Sequence, residues 1–181
     1  PSLDQLQPVR DNTNTNNLII GNPDLIPNYS HNLNAFFNKW NAIEQSYIWA
    51  TAYMNYTDDA FSSSIFYLPD GRTISQSINV DGNINAGAFA GGGIPLFDKK
   101  LRLDPQVNAT YSRFNSVING LNNTTENLNF GGEMKLGLRS DTMEISISAS
   151  YQYNSPSSSL SLGANQPFMQ QTYSAEVFFE L

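Results

Sequence analysis

The single histidine of the chain lies in a stretch whose residue types could perform chemistry. The stretch reads Ser30-His31-Asn32, and serine, histidine and asparagine are the residue types of a hydrolytic relay. If the stretch is extended, adjacent side chains point to opposite faces and cannot form such a relay. We therefore predict that His31 lies at the entrance of a strand, and we predict no catalytic residue and no enzymatic activity.

Two acidic stretches offer the hard oxygen ligands that Ca²⁺ prefers. Asp58-Asp59 and Asp81-Gly82-Asn83 both lack the full ligand spacing of a known calcium loop, which favours solvated turns or positions along a wet interior. Gly91-Gly92-Gly93 precedes Ile94-Pro95 and not a helix, so it does not predict a phosphate cradle. Glycines within a strand more often mark a bend or a bulge. We predict no metal site and no cofactor.

The polar residues of the chain are mostly uncharged. Charged residues make up only 14 % of the sequence, and Asn, Ser, Thr and Gln supply the remaining polarity. This composition is typical of the wet interior of outer-membrane barrels. A net charge of −7 argues against nucleic acid as a partner, and the lack of cysteine excludes disulfides and thiolate metal sites. No apolar run approaches the ~20 residues of a membrane helix, which excludes only the helical way of crossing a bilayer.

Apolar and polar residues alternate without a break over residues 143–154. The apolar members are Met143, Ile145, Ile147, Ala149, Tyr151 and Tyr153. A period of two predicts a β-strand with one face toward an apolar environment and the other toward water. Similar runs occupy residues 32–40, 47–68, 78–96, 101–112, 127–138 and 173–181. The sequence therefore predicts an all-β, antiparallel up-and-down meander of about seven long strands.

The links between these strands differ between the two ends of the predicted sheet. At one end, short turns begin at Asn41, Phe97 and Arg139. At the other end, Pro69-Asp70-Gly71-Arg72 predicts a tight turn, whereas residues 119–125 and 155–166 predict loops. Short periplasmic turns and longer external loops are typical of a transmembrane β-barrel. Trp40 and Trp49 flank the first short turn, where aromatic rings suit the bilayer interface.

Residues 1–30 differ from the rest of the chain. They contain Pro8, Pro23 and Pro27 in an Asn- and Asp-rich setting, with residues 18–20 as the only short apolar run. This composition predicts an irregular segment with turns, not an array of strands. We expect an extracellular loop segment at residues 1–30 and the strands of an incomplete barrel at residues 31–181.

Residues 21–30 carry a recognisable signature. Gly21-Asn22-Pro23-Asp24-Leu25-Ile26-Pro27 resembles the Gly-Asn-Pro-x-Leu-x-Pro stretch in the C-terminal barrel halves of TonB-dependent outer-membrane receptors. The order that follows resembles the outer-membrane β-barrel proteins common in Bacteroidetes. It comprises Tyr29-Ser30-His31-Asn32-Leu33-Asn34, Asp70-Gly71-Arg72, Val80-Asp81-Gly82-Asn83, Ile118-Asn119-Gly120, Asn123-Thr124-Thr125 and Gln171-Thr172-Tyr173-Ser174-Ala175. Ile26 and Asn28 stand where that family usually has Lys and Glu, so no charge-based role transfers to them.

The resemblance implies that the chain is a piece of a receptor in the outer membrane of a Gram-negative bacterium. Such receptors have about 22 strands around a plug, so seven strands would be an incomplete barrel. The implied partners are outer-membrane lipid, the rest of the barrel and its plug, and TonB through parts outside this chain. The implied ligand is a scarce nutrient such as a metal chelate, a glycan or a peptide, imported with energy that TonB delivers.

A soluble secreted or surface β-sandwich that binds carbohydrate or a partner protein is the alternative. Seven strands is an ordinary number for a sandwich, and its half-buried strands would also alternate. Strand length, up-and-down order and the low charge of the polar faces favour the barrel. A seven-stranded sheet by itself would expose an apolar face and two open edges, so we expect the isolated chain to associate or to bind detergent.

Overall fold

The computed structural model describes residues 1–7, 10–11, 16–97, 99–140, 143–161, 163 and 165–179. Pro8, the middle of the turn at Phe97, the end of the turn at Arg139 and Leu181 lie outside these residues. The described elements are a short helix α1 (Leu3–Leu6) and strands β1 (Arg10–Asp11), β2 (Asn17–Ile20), β3 (Tyr29–Asn41), β4 (Ser46–Asp58), β5 (Ala60–Tyr67), β6 (Thr73–Val80), β7 (Asn83–Leu96), β8 (Leu101–Ile118), β9 (Leu121–Arg139), β10 (Met143–Ser158) and β11 (Phe168–Phe179). None of the described helices is long and apolar enough to cross a membrane.

Seven of the strands form one antiparallel meander. β3 pairs with β4, β4 with β7, and β7 with β8, and the order continues through β9 and β10 to β11. The predicted all-β, up-and-down order is therefore confirmed. The sheet is not closed, because among the described residues β3 pairs with β4 alone and β11 with β10 alone.

The two longest predicted strands are each divided by a bend. The predicted run at residues 47–68 falls in β4 and β5, which meet at Asp59 with φ 50°, and the predicted run at residues 78–96 falls in the end of β6 and in β7, which meet near Gly82 with φ 79°. Positive φ interrupts an extended strand, so the chain changes direction at both points. The hairpin of β5 and β6 thereby leaves the meander, and β5 runs parallel to the end of β8, with Ser64 opposite Val117.

The N-terminal segment adds strands that the sequence did not predict. β2 pairs in parallel with β6, and β1 pairs antiparallel with β2. The prediction of a segment without strands was therefore wrong for the run at residues 18–20. The reason is tertiary, since the bend at Gly82 presents the edge of β6, and a short apolar run can complete its backbone hydrogen bonds there.

The link between β8 and β9 is a two-residue turn. Asn119 and Gly120 have φ angles of 50° and 78°, which is the geometry of a tight hairpin turn. The predicted loop at residues 119–125 was wrong, because β9 begins at Leu121 and its ladder with β8 continues to the turn. The asymmetry between the two ends of the sheet therefore comes from strands that extend far beyond the meander, and less from long loops.

Apolar side chains lie on the outward face of the sheet and not in a core. Leu25 and Ala60 are the only buried apolar side chains among the described residues. Large apolar side chains at alternate strand positions are instead exposed, among them Ile48, Met54, Ile94, Val107, Leu128, Phe130, Met134, Leu138, Ile147 and Val177. All described strands belong to one sheet, and no second layer covers this face. The alternative of a soluble β-sandwich was wrong, since a sandwich requires two packed layers.

The apolar band has the height of a bilayer. On β8 it runs from Leu101 to Tyr111, and ten residue steps of ~3.3 Å at a tilt of ~40° give about 25 Å. Immediately beyond it the outward face becomes charged, where Arg113 Nε lies 4.0 Å from Glu126 Oε1. β8 continues from there to Ile118, so the end of the β8 and β9 hairpin projects past the band.

Candidate functional site: the inward face of the sheet

The inward face carries the side chains that alternate with the apolar band. It is polar in β9 and β10, where Asn129, Glu133 and Ser148 point inward, and Ser146 is almost fully buried at 4 % exposure. Toward β3, β4 and β7 the same face becomes aromatic. Because the register of the strands is continuous, these inward residues lie side by side in rows across the sheet.

Six rings form what we call the aromatic track: Phe36, Trp40, Tyr47, Trp49, Tyr53 and Phe89. Trp40 stacks on Tyr47 with centroids 6.2 Å apart, and Tyr53 stacks on Phe89 at 6.3 Å. The interface role predicted for Trp40 and Trp49 was wrong, because both share the inward face with Asn38 and Tyr53. Phe36, which interrupts the polar side of its strand in the sequence, is explained by its place in the track.

Glycines on β7 lie opposite three of the rings. Gly93 pairs with Tyr47, Gly91 with Trp49 and Gly87 with Tyr53. A Cβ at Gly91 would lie 2.9 Å from Trp49 Cζ2, and one at Gly87 would lie 2.5 Å from Tyr53 Cε1. Each ring therefore occupies the space that a β7 side chain would fill, and the ring lies over the neighbouring backbone.

At Gly91-Gly92-Gly93, where a bend or a bulge was expected, the ladder with β4 is unbroken, whereas the ladder with β8 skips Gly92 and Gly93 and resumes in the same register at Ile94. These glycines leave space for the rings on the adjacent strand β4. The sequence does contain a signal for this arrangement: rings at alternate positions of β4 and glycines at alternate positions of β7. The signal can be recognised only when the register between the two strands is known.

Paired charges lie at the base of the track, next to the short turns. Arg102 Nε donates to Asp104 Oδ1 at 2.7 Å, and the Arg102 guanidinium lies 5.0 Å from the Tyr47 ring centroid. Lys135 Nζ lies 3.6 Å from Glu176 Oε2. A recess of about 360 Å³ opens here, lined by residues that include Trp40, Arg102, Asp104 and Lys135. Within it, Arg102 and Asp104 form a salt bridge, and Lys99, Lys100 and Glu144 add further charges.

Asparagine amides hold the outer ends of the strands together. Asn123 is buried, and its Oδ1 accepts hydrogen bonds from Ser158 Oγ at 2.9 Å and from Leu160 N at 3.3 Å. Asn115 accepts from Thr124 Oγ1 at 2.8 Å and donates to the Asp81 carbonyl at 2.5 Å. These amides replace the backbone partners that the diverging strands lose. The richness in asparagine thus has a structural role outside the band.

The signature at residues 21–30 attaches the N-terminal segment to β6. Asn22 Nδ2 donates to the Ser77 carbonyl at 3.0 Å, and Gln76 Nε2 donates to the Gly21 carbonyl at 3.2 Å. A Cβ at Gly21 would collide with the backbone carbonyl of Gln7, so only glycine fits. Leu25 is buried at 7 % exposure. The motif therefore shapes a loop, and its residues hold no ligand-binding arrangement.

The turn at Pro69-Asp70-Gly71-Arg72 is as predicted, with Gly71 at φ 85°. Arg72 Nε donates to Asp70 Oδ2 at 2.8 Å, and this hydrogen bond lowers the pKa of Asp70. Because the pKa of Asp70 is lower in the folded state, the contact adds to the free energy of unfolding at pH values above the pKa of Asp70 in the unfolded chain. This contribution is lost as the pH falls through the folded-state pKa. Both side chains are exposed, so solvent screens the contact.

The side chain of His31 lies on the opposite face of β3 from those of Ser30 and Asn32, as predicted. Ser30 Oγ lies 3.4 Å from Thr57 Oγ1, whereas His31 Nε2 lies 3.1 Å from Asp58 Oδ2 on the opposite face. Asn32 accepts from Asn55 on the same face as Ser30. The structure therefore does not bring these three side chains together.

The two acidic stretches meet at the bend without forming a cation site. Asp81 Oδ1 accepts from the backbone N–H of Asp59 at 3.1 Å, while Asp58 faces His31. No group of three or more His, Cys, Asp or Glu side chains that could hold a metal ion occurs among the described residues. Asp59 and Asp81 instead hold the bend.

Comparison with known families supports the interpretation of the two faces. Residues 1–177 match the outer membrane protein beta-barrel family. No curated protein and no solved structure matches the chain. The matched region includes the meander strands up to residue 177 of β11, and an apolar outward band opposite a polar inward face is what a barrel wall requires. The chain therefore belongs to the outer membrane protein β-barrel family and is located in the outer membrane.

Proposed function

We propose that the chain supplies wall strands and extracellular loops of a TonB-dependent receptor that imports a scarce nutrient. The resemblance of the Gly21 to Pro27 signature and of the motif order to Bacteroidetes barrel proteins supports the receptor type. The proposed role is structural and selective, not enzymatic. Its partners are outer-membrane lipid, the remaining barrel and plug, TonB and the nutrient; nucleic acid is not among them.

One observation carries the proposal: among the described residues, β3 and β11 each leave one edge without a partner strand, and the two strands run in the same direction. Six successive antiparallel pairings separate β3 from β11, so these strands are parallel to each other. Open edges are not tolerated in the hydrocarbon region. An all-antiparallel closure then requires an odd number of further strands, which favours a wall section of a larger barrel over a seven-stranded pore.

The test is nutrient uptake in the source bacterium with the gene for this chain deleted, alone and together with inactivation of TonB. We expect each change to reduce uptake of the same nutrient, and the double change to add nothing. The panel comprises an iron chelate, peptides and glycans, each as the limiting source. Uptake that depends on the gene but persists without TonB would contradict the receptor type and indicate a passive pore.

A further inference from the structure

The aromatic track lies on the inward face of β3, β4 and β7. Its rings occupy four successive inward rows, at Tyr47, Trp49, Phe89 and Tyr53. Alternate strand positions are about 6.6 Å apart, so the track is about 20 Å long. A ligand that contacts every row is therefore elongated.

The rings are placed as platforms. Gly93, Gly91 and Gly87 let the rings of Tyr47, Trp49 and Tyr53 lie over the β7 backbone. Trp40 is 59 % exposed and Phe36 75 % exposed, so their rings are open to contact. An exposed ring face binds an apolar, flat surface by stacking.

Uncharged hydrogen-bonding groups flank the rings in the same rows. Asn38 lies opposite Trp49, Gln106 opposite Gly91 and Asn108 opposite Phe89. Within the described part of the chain, none of these three side chains has a hydrogen-bond partner. Two nearby pairs of charges, Arg102 with Asp104 and Lys135 with Glu176, form salt bridges, and Glu133 adds one carboxylate on the β9 side, opposite Gln106. The track itself therefore offers ring faces and neutral donors and acceptors, with a single carboxylate beside it.

We propose that the aromatic track binds a linear, uncharged oligosaccharide. A pyranose ring has an apolar C–H face that stacks on an aromatic ring, and a rim of hydroxyls that amides can bind as donors and acceptors. A chain of such units repeats this pattern along its length, as the track does along its rows. This assignment rests on the proposed receptor function, and it names the class of ligand that the inward face of that wall binds.

The test is binding of maltohexaose, cellohexaose, xylohexaose and N-acetylated chitohexaose to the detergent-solubilised protein by calorimetry. We expect at least one hexasaccharide to bind, with Trp49→Ala weakening affinity about tenfold and Trp49→Phe by much less. Asn108→Leu removes one flanking amide without touching a ring and also weakens binding. Ile48→Ala, on the outward face of the same strand, is the matched control and binds as the unchanged protein does. Retained heat-modifiable migration in gels shows that each variant is folded.

Two results would overturn the assignment: no hexasaccharide binds, or folded Trp49→Ala and Asn108→Leu bind as tightly as the unchanged protein. TonB-dependent uptake of a peptide or metal chelate without oligosaccharide binding would reject the saccharide and leave the receptor function standing. Oligosaccharide binding without TonB dependence would support the saccharide and reject the TonB-dependent receptor function.

Discussion

Single residues on the inward face determine how closely neighbouring strands and rings can pack. Gly87 is buried beneath the Tyr53 ring, and that ring is in turn stacked on Phe89. Asn123 is buried among hydroxyl and backbone donors at the outer end of the sheet. An added Cβ at Gly87 would have no free space, and loss of the Asn123 amide would leave its donors without that acceptor. Either substitution is therefore expected to lower the free energy of unfolding.

Gly87→Ala is expected to destabilise the folded protein by about 1–3 kcal/mol, because its Cβ would overlap the Tyr53 ring. Gly137→Ala, on the inward face of β9, is the matched control, since a Cβ there meets nothing within 4 Å. Urea unfolding in detergent micelles measures both. Equal midpoints for the two variants would contradict the ring and glycine pairing.

Asn123→Ala is expected to cost about 1–3 kcal/mol, because the Oδ1 of the buried Asn123 is the shared acceptor for Ser158 Oγ, Ser159 Oγ and Leu160 N. The segment around residues 158–160 should open, and chymotrypsin should cleave after Leu160 faster than in the unchanged protein. Asn122→Ala, an exposed neighbour on the same strand, provides the control. Unchanged cleavage in Asn123→Ala would show that the amide does not hold the segment.

At the scale of elements, β8 and β9 combine two environments in one hairpin. Their lower parts carry the apolar band, and their outer parts continue to the turn at Asn119 and Gly120. The bent hairpin of β5 and β6 rests against this extension, where Asn119 Oδ1 accepts from Tyr67 N at 2.9 Å. Band and extension should respond differently to substitution.

Val107→Lys is expected to destabilise membrane insertion by about 2–4 kcal/mol, since it places a charge at the middle of the apolar band. Val107 is 59 % exposed on the outward face. Asn108→Lys, one residue further along on the inward face, should have a much smaller effect. Folding into lipid vesicles across a urea series distinguishes them, and similar losses for both would reverse the assignment of the faces.

Gly120→Ala is expected to cost about 1 kcal/mol, because an Ala side chain disfavours the positive φ at this position. Gly120→Asn should cost less, since Asn tolerates that conformation. Denaturant unfolding of the two variants in micelles provides the comparison. A larger loss for Asn than for Ala would contradict the tight turn.

At the scale of the whole molecule, the described part of the sheet has an apolar outward face, a polar and aromatic inward face and two open edges. Water is a poor solvent for the apolar outward face, and in water the open edges are free to pair with other chains. The apolar outward face suits a bilayer, and backbone groups at an open edge need partners wherever they lie in the hydrocarbon region. The sheet thus has the two faces of an outer-membrane barrel wall.

The 181-residue chain is expected to aggregate in plain buffer and to disperse when detergent is added. Detergent covers the outward band, which otherwise associates with other copies. Size-exclusion chromatography with light scattering, with and without detergent, gives the mass of each species. A monodisperse monomer in plain buffer would mean that the apolar faces close on each other, against the open sheet.

The strand period of the sequence was sufficient to predict the all-β meander, its order and its two faces, because side-chain alternation is a local property of extended chains. It also showed that Ser30 and His31 cannot act together. Only the tertiary structure determined the register of β4 against β7, and with that the placement of the Tyr47, Trp49 and Tyr53 rings over their glycines. The same holds for β2 on β6 and for Asn123 at the outer end. These contacts join residues distant in the sequence, so they depend on register and bends that alternation alone does not determine.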